Sequence, residues 1–188
     1  SRPVIIIGKG IKLSNSEDDL KKLIMKVNIP ILTSKNGADL IETSNKLFFG
    51  RPGAFGQRSA NFIIQNSDLL LSIGCRLSPT LIGRTKHYFA RAAKKIIVDI
   101  DNKELAKKSI SIDIKINLDA KIFLTNLNKK IDKINLNYND WIKKCKKFKV
   151  LFKNNKYDVP TIKKLKLNSN YIYPLYLFDY VSKYFKKE

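Results

Sequence analysis

Val4–Gly10 reads VIIIGKG, four β-branched side chains in a row and then two glycines around a lysine. An unbroken apolar run of this kind fits a strand buried on both faces, and glycine straight after it fits a sharp turn into a helix. The pattern returns down the chain. Ile29–Asp39 reads IPILTSKNGAD, Gly50–Asn61 reads GRPGAFGQRSAN, Ser67–Arg76 reads SDLLLSIGCR and, without glycine, Lys94–Asp101 reads KKIIVDID. All eight glycines fall between Gly8 and Gly83. Strand, tight turn and helix in repetition predict an open parallel α/β sheet flanked by helices, with a nucleotide-like crevice at the strand ends. Any chemistry belongs to this part of the chain.

The periodicity predicts strands at Val4–Gly8, Ile29–Ser34, Asp68–Gly74, Lys95–Ile100 and Ile112–Ile116. Ser16–Asp19 resembles a capping box, followed by Leu20, Leu23, Ile24 and Val27 on one helical face. Ser59–Gln65 reads as a helix with Ala60, Ile63 and Ile64 inward, and Thr85–Lys94 reads as another. Ala120–Ile131 is a helix with Ile122, Phe123, Leu127 and Ile131 on one face. Past residue 131 the character changes. A polar stretch leads to a helix capped by Asn139, with Trp141, Ile142, Cys145, Phe148 and Phe152 as its apolar positions. Asn154–Asn170, with Pro160, reads as an extended linker. Pro174 opens a further stripe of Leu175, Phe178, Val181 and Phe185 that needs a partner to bury it.

The length, 188 residues, suits one sizeable domain with appendages. No run is long enough to cross a bilayer, and no signal peptide is evident. Only Ser1, Arg2 and Pro3 precede the first strand, which reads as a piece of something longer. The net charge of +21 invites a nucleic-acid reading. Against it, Lys, Asn and Ile are enriched together, as an A+T-rich coding bias produces, and the lysines are spread through both halves. No nucleic-acid motif accompanies them, so no specific nucleic-acid partner is expected. Cys75 and Cys145 fit no metal spacing and point to a reducing, cytoplasmic compartment. His87 is the only histidine, so a zinc site or a triad built on histidine is excluded.

Several positions carry candidate chemistry. Gly8-Lys9-Gly10 lets the backbone approach a phosphate at a helix N-terminus, or simply makes a strand-to-helix turn; the third glycine of a dinucleotide fingerprint is replaced by Leu13. The Gly50–Asn61 loop, with glycines every third residue, serves either as a nest of amides for phosphates or as a connection that packs close to a strand end. Arg76 at the lip of the third strand is placed to pair with an anion, or is a surface arginine. Asp99 can accept ribose hydroxyls, and Asp101 caps the helix that follows.

Taken in order over about residues 2–131, these segments resemble the central domain of thiamine-diphosphate-dependent enzymes of the acetolactate synthase type. The glycine loop with its continuation through Leu77 is the most specific part. The tail, with Trp141 and Tyr173-Pro174-Leu175, is similar to that family's linker into a C-terminal domain. The resemblance implies a Rossmann-like fold of the DHS-like NAD/FAD-binding type plus a helical C-terminal linker. It implies a central domain at 1–131, a linker with one helix at 132–170 and the start of a C-terminal domain at 171–188. It also implies a parent, a carboligase or decarboxylase of 2-keto acids, in which thiamine diphosphate and Mg²⁺ bind to the other two domains. No catalytic residue is then expected here, and no GDG magnesium motif occurs.

In flavin-carrying members FAD lies along these strand ends. Carried over, its contacts would be Gly8, Gly10, Ser34, Lys35, Ala54, Phe55, Gly56, Gly74, Cys75, Arg76 and Asp99. The charged FDDR-like stretch of those members is replaced by Leu77-Ser78-Pro79-Thr80, so flavin is not expected. The family further implies a homodimer or homotetramer at full length, and no membrane. Two other readings stay open from the residues alone: a standalone nucleotide-binding module for FAD or NAD, and a basic nucleic-acid-binding protein.

Overall fold

Five strands form one parallel sheet in the order β2-β1-β3-β4-β5: β1 Pro3–Ile7, β2 Ile31–Thr33, β3 Leu69–Ile73, β4 Lys94–Asp99 and β5 Ile114–Asn117. The computed structural model describes residues 1–131 and 137–152, and beyond them 177, 180, 181 and 184. Pairing is parallel throughout, with Ile5 opposite both Ile31 and Leu71, and Ile96 opposite Leu71 and Ile114. The β-branched runs form the strands because their stiff side chains pack on a pleated surface covered on both sides.

Alternation along β1 creates two cores. Val4 and Ile6 face Ile63 and Ile64 of α3 (Arg58–Asn66) and Trp141 and Cys145 of α7 (Asn139–Leu151). Ile5 and Ile7 face Leu20 and Leu23 of α2 (Glu17–Lys26) and Leu124 of α6 (Ala120–Ile131). Each of these side chains is at most 4% exposed, and burying one stabilises the fold by about 1.5–3 kcal/mol. Short helices α1 (Gly10–Leu13), α4 (Pro79–Ile82) and α5 (Asn102–Ala106) follow β1, β3 and β4. Helix α7 belongs to the compact unit Ser1–Phe152, where the Trp141 indole N–H donates to the Pro3 carbonyl at 2.8 Å. In the second unit, Lys153–Glu188, the rings of Tyr180 and Tyr184 lie 5.3 Å apart.

Local expectations need six corrections. Thr85–Lys94 is not an α-helix: a single 3₁₀ turn spans Lys86–Tyr88, and Ala90 at φ 46° ends any helical path before β4. Ser16 stands at the α2 N-cap position without capping; its buried hydroxyl donates to the Ile11 carbonyl at 3.0 Å. The acidic first turn of α2 instead favours its helix dipole. The buried face of α6 is Ala120, Leu124, Asn128 and Ile131, with Phe123 and Leu127 half-buried, while Ile122 is 52% exposed. Tyr138, not Asn139, precedes α7; the Asn139 amide N–H bonds Asn137 Oδ1 at 3.2 Å, and its own side-chain oxygen accepts from Asn28 Nδ2 at 2.6 Å. β2 starts two residues later than expected, and β5 also starts two residues later. The expected linker at Asn154–Asn170 lies outside the described residues, as does most of the stripe beginning at Pro174.

Candidate functional site

In this strand order the chain leaves β1 towards β2 on one side while β3 lies on the other. Connections therefore diverge at the carboxyl ends of β1 and β3, where ligands of open α/β sheets bind. A cleft of about 1310 Å³ opens there. Gly10, Ser34, Lys35, Phe55, Gly56, Gly74, Cys75, Arg76 and Asp99 all line it. Gly8 and Ala54 do not form its wall; they sit immediately behind and beside it in the same two loops.

The glycines after β1 and β3 are explained by each other. A Cβ on Gly8 would lie 2.4 Å from the Gly74 oxygen and 2.6 Å from Cys75 Cα; one on Gly10 would lie 2.6 Å from Gly74 Cα. Two backbones cross here in direct contact, which only glycine permits. Their amides are taken as well. Gly8 N–H donates to Ile73 O at 3.1 Å, Gly10 N–H to Gly74 O at 2.9 Å and Gly74 N–H to Val98 O at 3.0 Å. These three glycine amides are therefore not free for a ligand, and the glycines themselves offer it shape.

The glycine loop is built differently. Gly53, at φ 126°, presses against the Thr80 carbonyl. Asn61 grips it twice, Oδ1 accepting the Gly53 N–H at 2.8 Å and Nδ2 donating to the Gly53 carbonyl at 3.0 Å. Gln57 Oε1 accepts the Arg51 N–H at 2.6 Å, and Ala54 N–H donates to Thr80 O at 2.9 Å. Gly56 N–H and Gln57 N–H are bound within the loop. Gln57 and Asn61 hold this loop in place, and sequence reasoning passed over both. Their signal was two side-chain amides at the entry of α3, directly after a loop with backbone groups to satisfy. The clamped loop carries Phe55 at its tip, 97% exposed.

Charge is largely paired at the lip. The Arg76 guanidinium donates through Nε to Glu104 Oε1 at 2.8 Å, and Lys107 Nζ reaches Glu104 Oε2 at 2.8 Å and also the Arg76 carbonyl. Burial pushes the Glu104 carboxyl up, but Lys107 and Arg76 together outweigh it and hold it below the usual carboxylate range. The hydrogen bond to Glu104, and its charge, raise the Arg76 pKa. Asp99, 8% exposed, accepts the Asp101 N–H at 2.9 Å, and Asp101 caps α5 through the Lys103 N–H at 2.8 Å. Lys35 lies exposed in the 3₁₀ turn Lys35–Gly37.

Cys75 is buried in the cleft floor. Burial pushes its thiol up against the opposing pull of the Leu77 N–H and the Ser34 hydroxyl. Burial likewise pushes Cys145 up to about 12, so both thiols stay protonated at neutral pH. The stretch that departs from the flavin pattern makes its own turn. Leu77 is buried at φ 46°, and Ser78 and Pro79 begin α4, with the Ser78 and Thr80 hydroxyls 2.9 Å apart. Among the described residues no group of three or more acidic, histidine or cysteine side chains could hold a metal, and no helix is long and apolar enough to cross a membrane.

Comparison with known proteins agrees with this architecture. The family described as thiamine pyrophosphate enzyme, central domain, matches residues 1–127. A probable acetolactate synthase large subunit of Methanococcus aeolicus is 39% identical over 133 residues, 71% of this chain and 22% of the relative. One of Methanocaldococcus jannaschii is 37% identical over 126 residues, 67% of this chain and 21% of the relative. The acetolactate synthase large subunit of Lactococcus lactis is 32% identical over 151 residues, 79% of this chain and 25% of the relative. The chain thus spans a fifth to a quarter of the length of these relatives. With its parallel sheet, its switch-point glycines and a match running into α6, this chain belongs to the family of thiamine pyrophosphate enzyme central domains.

Proposed function

We propose that this chain is the central domain of a thiamine-diphosphate- and Mg²⁺-dependent enzyme of the acetolactate synthase type, a transferase or lyase that joins or decarboxylates 2-keto acids such as pyruvate. The observation that carries the reading is the family match over residues 1–127, with relatives named acetolactate synthase large subunits. Thiamine diphosphate supplies the carbanion chemistry in such an enzyme. In this reading the cofactor and its Mg²⁺ are held by domains before and after this one, and this chain alone is inactive. Residues 1–131 form the central domain, 132–170 a linker with one helix, and 171–188 the start of the next domain. The parent acts as a homodimer or homotetramer. Its buried, unpaired Cys75 and Cys145 support a reducing, cytoplasmic setting.

The role of this domain is then positional. Interlocked turns after β1 and β3 and the clamped glycine loop make a stiff edge that orients its neighbours and shapes the substrate channel. Flavin fits this edge poorly. The loop amides Gly53, Ala54 and Gly56 are bonded inside the protein, Arg76 is paired with Glu104, and the charged stretch of flavin-carrying members is replaced by Leu77–Thr80. Acetolactate formation from pyruvate by the full-length parent, with thiamine diphosphate and Mg²⁺, tests the main reading; absence of turnover with every 2-keto acid tried would overturn it. Titration of the 188-residue chain with FAD, NAD and ADP tests the positional role, since tight NAD binding would instead favour a standalone nucleotide-binding module.

A further inference from the structure

The two helical layers differ in charge. On α2 and α6, three carboxylates, Glu17, Asp18 and Asp19, accompany the lysines, and Asp18 holds Lys21 at 3.0 Å. On α3 and α7 the cations are Arg58, Lys143, Lys144, Lys146, Lys147 and Lys149, and Asp140 is the one carboxylate in either helix, 3.5 Å from Lys143. All five lysines of α7 are exposed. They lie within seven residues, about 9 Å of helix. Six cations stand with one carboxylate on α3 and α7, against six lysines with three carboxylates on α2 and α6, so the α3–α7 layer is the poorer in counter-charge.

The cations are also held in place. Arg58 lies 5.0 Å from the Phe152 ring centre, and Phe152 packs on Phe62 at 4.4 Å. Lys149 donates to the Phe48 carbonyl at 3.0 Å. Trp141, Ile142 and Cys145 fix the inner face of α7 in the core. Helical spacing then sets two outward rows. Lys144 and Lys147 lead to Leu151, 72% exposed; Lys143 and Lys146 lead to Val150, 75% exposed. Each row is basic along its length and apolar at its end.

We infer that the outer face of α7, with Arg58 and Phe62 beside it, docks an acidic, amphipathic polypeptide segment. Its carboxylates at helical spacing meet the lysine rows, and its apolar side chains cover Val150 and Leu151. The aliphatic ends favour a polypeptide over nucleic acid, which would gain from the lysines but not from Val150 and Leu151. Affinity here is electrostatic in large part and falls with salt.

The test uses the 188-residue chain and a fluorescein-labelled synthetic helix with Glu every third or fourth position and leucines at one end. Lys146→Glu/Lys147→Glu, two exposed positions, should weaken binding about tenfold or more, with the circular dichroism spectrum unchanged. Leu151→Asp should weaken it severalfold, and Lys146→Gln/Lys147→Gln less than the charge reversal. Lys129→Glu/Lys130→Glu on α6 should leave it unchanged. No binding by the wild-type chain, or equal losses from the α6 and α7 reversals, would overturn the assignment. So would tighter binding to oligo(dT) or to phosphatidylserine vesicles than to the peptide, which would transfer the face to another class of partner.

Discussion

Two glycine-rich stretches meet at the same cleft and owe their glycines to different causes. After β1 and β3, Gly8, Gly10 and Gly74 let two main chains touch, and the bonding is backbone to backbone. Between Gly50 and Gly56, Gly50 and Gly53 supply positive φ, Gly56 lies close against the Arg51 carbonyl, and the side chains of Gln57 and Asn61 hold the result. Both would pass for phosphate-binding loops on spacing alone. The difference shows that glycine after a strand in this fold reports close approach first, and ligand contact only where amides are left over.

The sharpest way to break this contrast is Gly8→Ala. The added methyl meets the Gly74 oxygen, and the hydrogen bonds around it leave no room to shift. We expect a loss of about 3 kcal/mol, read as a lower urea midpoint with an unchanged slope. Asn61→Ala should cost less, about 1–2 kcal/mol, because it strands the Gly53 N–H but leaves the Gly53 carbonyl its bond from the Gly56 N–H and can admit water. Hydrogen exchange at Ala54 to Gly56 should speed up while exchange at Gly10 stays slow. If Asn61→Ala proved the costlier of the two, the loop and not the crossing would be the rigid part.

Glu104 comes next. Its carboxyl is held low in the folded chain by Lys107 and Arg76, so its contribution is present above the ordinary value of 4.5 and is lost as pH falls through the lower folded value. Glu104→Gln should lower stability at pH 7 by about 0.5–1 kcal/mol and flatten the acid limb of the melting-temperature profile. An unchanged acid limb would separate the Arg76 lip from the rigid edge. The smallest effect is expected at Thr33, whose buried hydroxyl has no hydrogen-bond partner. Thr33→Val should be neutral or stabilising by up to about 1 kcal/mol; a clear loss in a thermal melt would mean that the end of β2 has a polar role.

The strands were legible because runs such as Val4–Ile7 and Leu69–Ile73 can hardly do anything else. Helix α3 and the inner face of α7 were legible from periodicity. Pairings across long stretches of chain were not. Nothing near Gly8 announces Gly74, nothing near Arg76 announces Glu104, and Asn61 looks like any polar helix residue until the loop folds onto it. Ser16 and Ile122 misled because local pattern was overruled, one by a competing carbonyl and the other by the direction from which α2 packs on α6. The gathering of lysines on α7 was hidden for another reason: composition counts charges, whereas topology decides which have neighbours of opposite sign.

The indole bond from Trp141 to Pro3 has a mechanical meaning. It pins the last helix of the unit to the start of the first strand, so residues 3 and 141 lie side by side. Tension applied between them would reach α7 before the sheet. The helix would peel from α3 first, exposing Trp141, while the five strands kept their register. In a longer polypeptide the sheet would then hang beside the line of force, and α7 would act as its fuse.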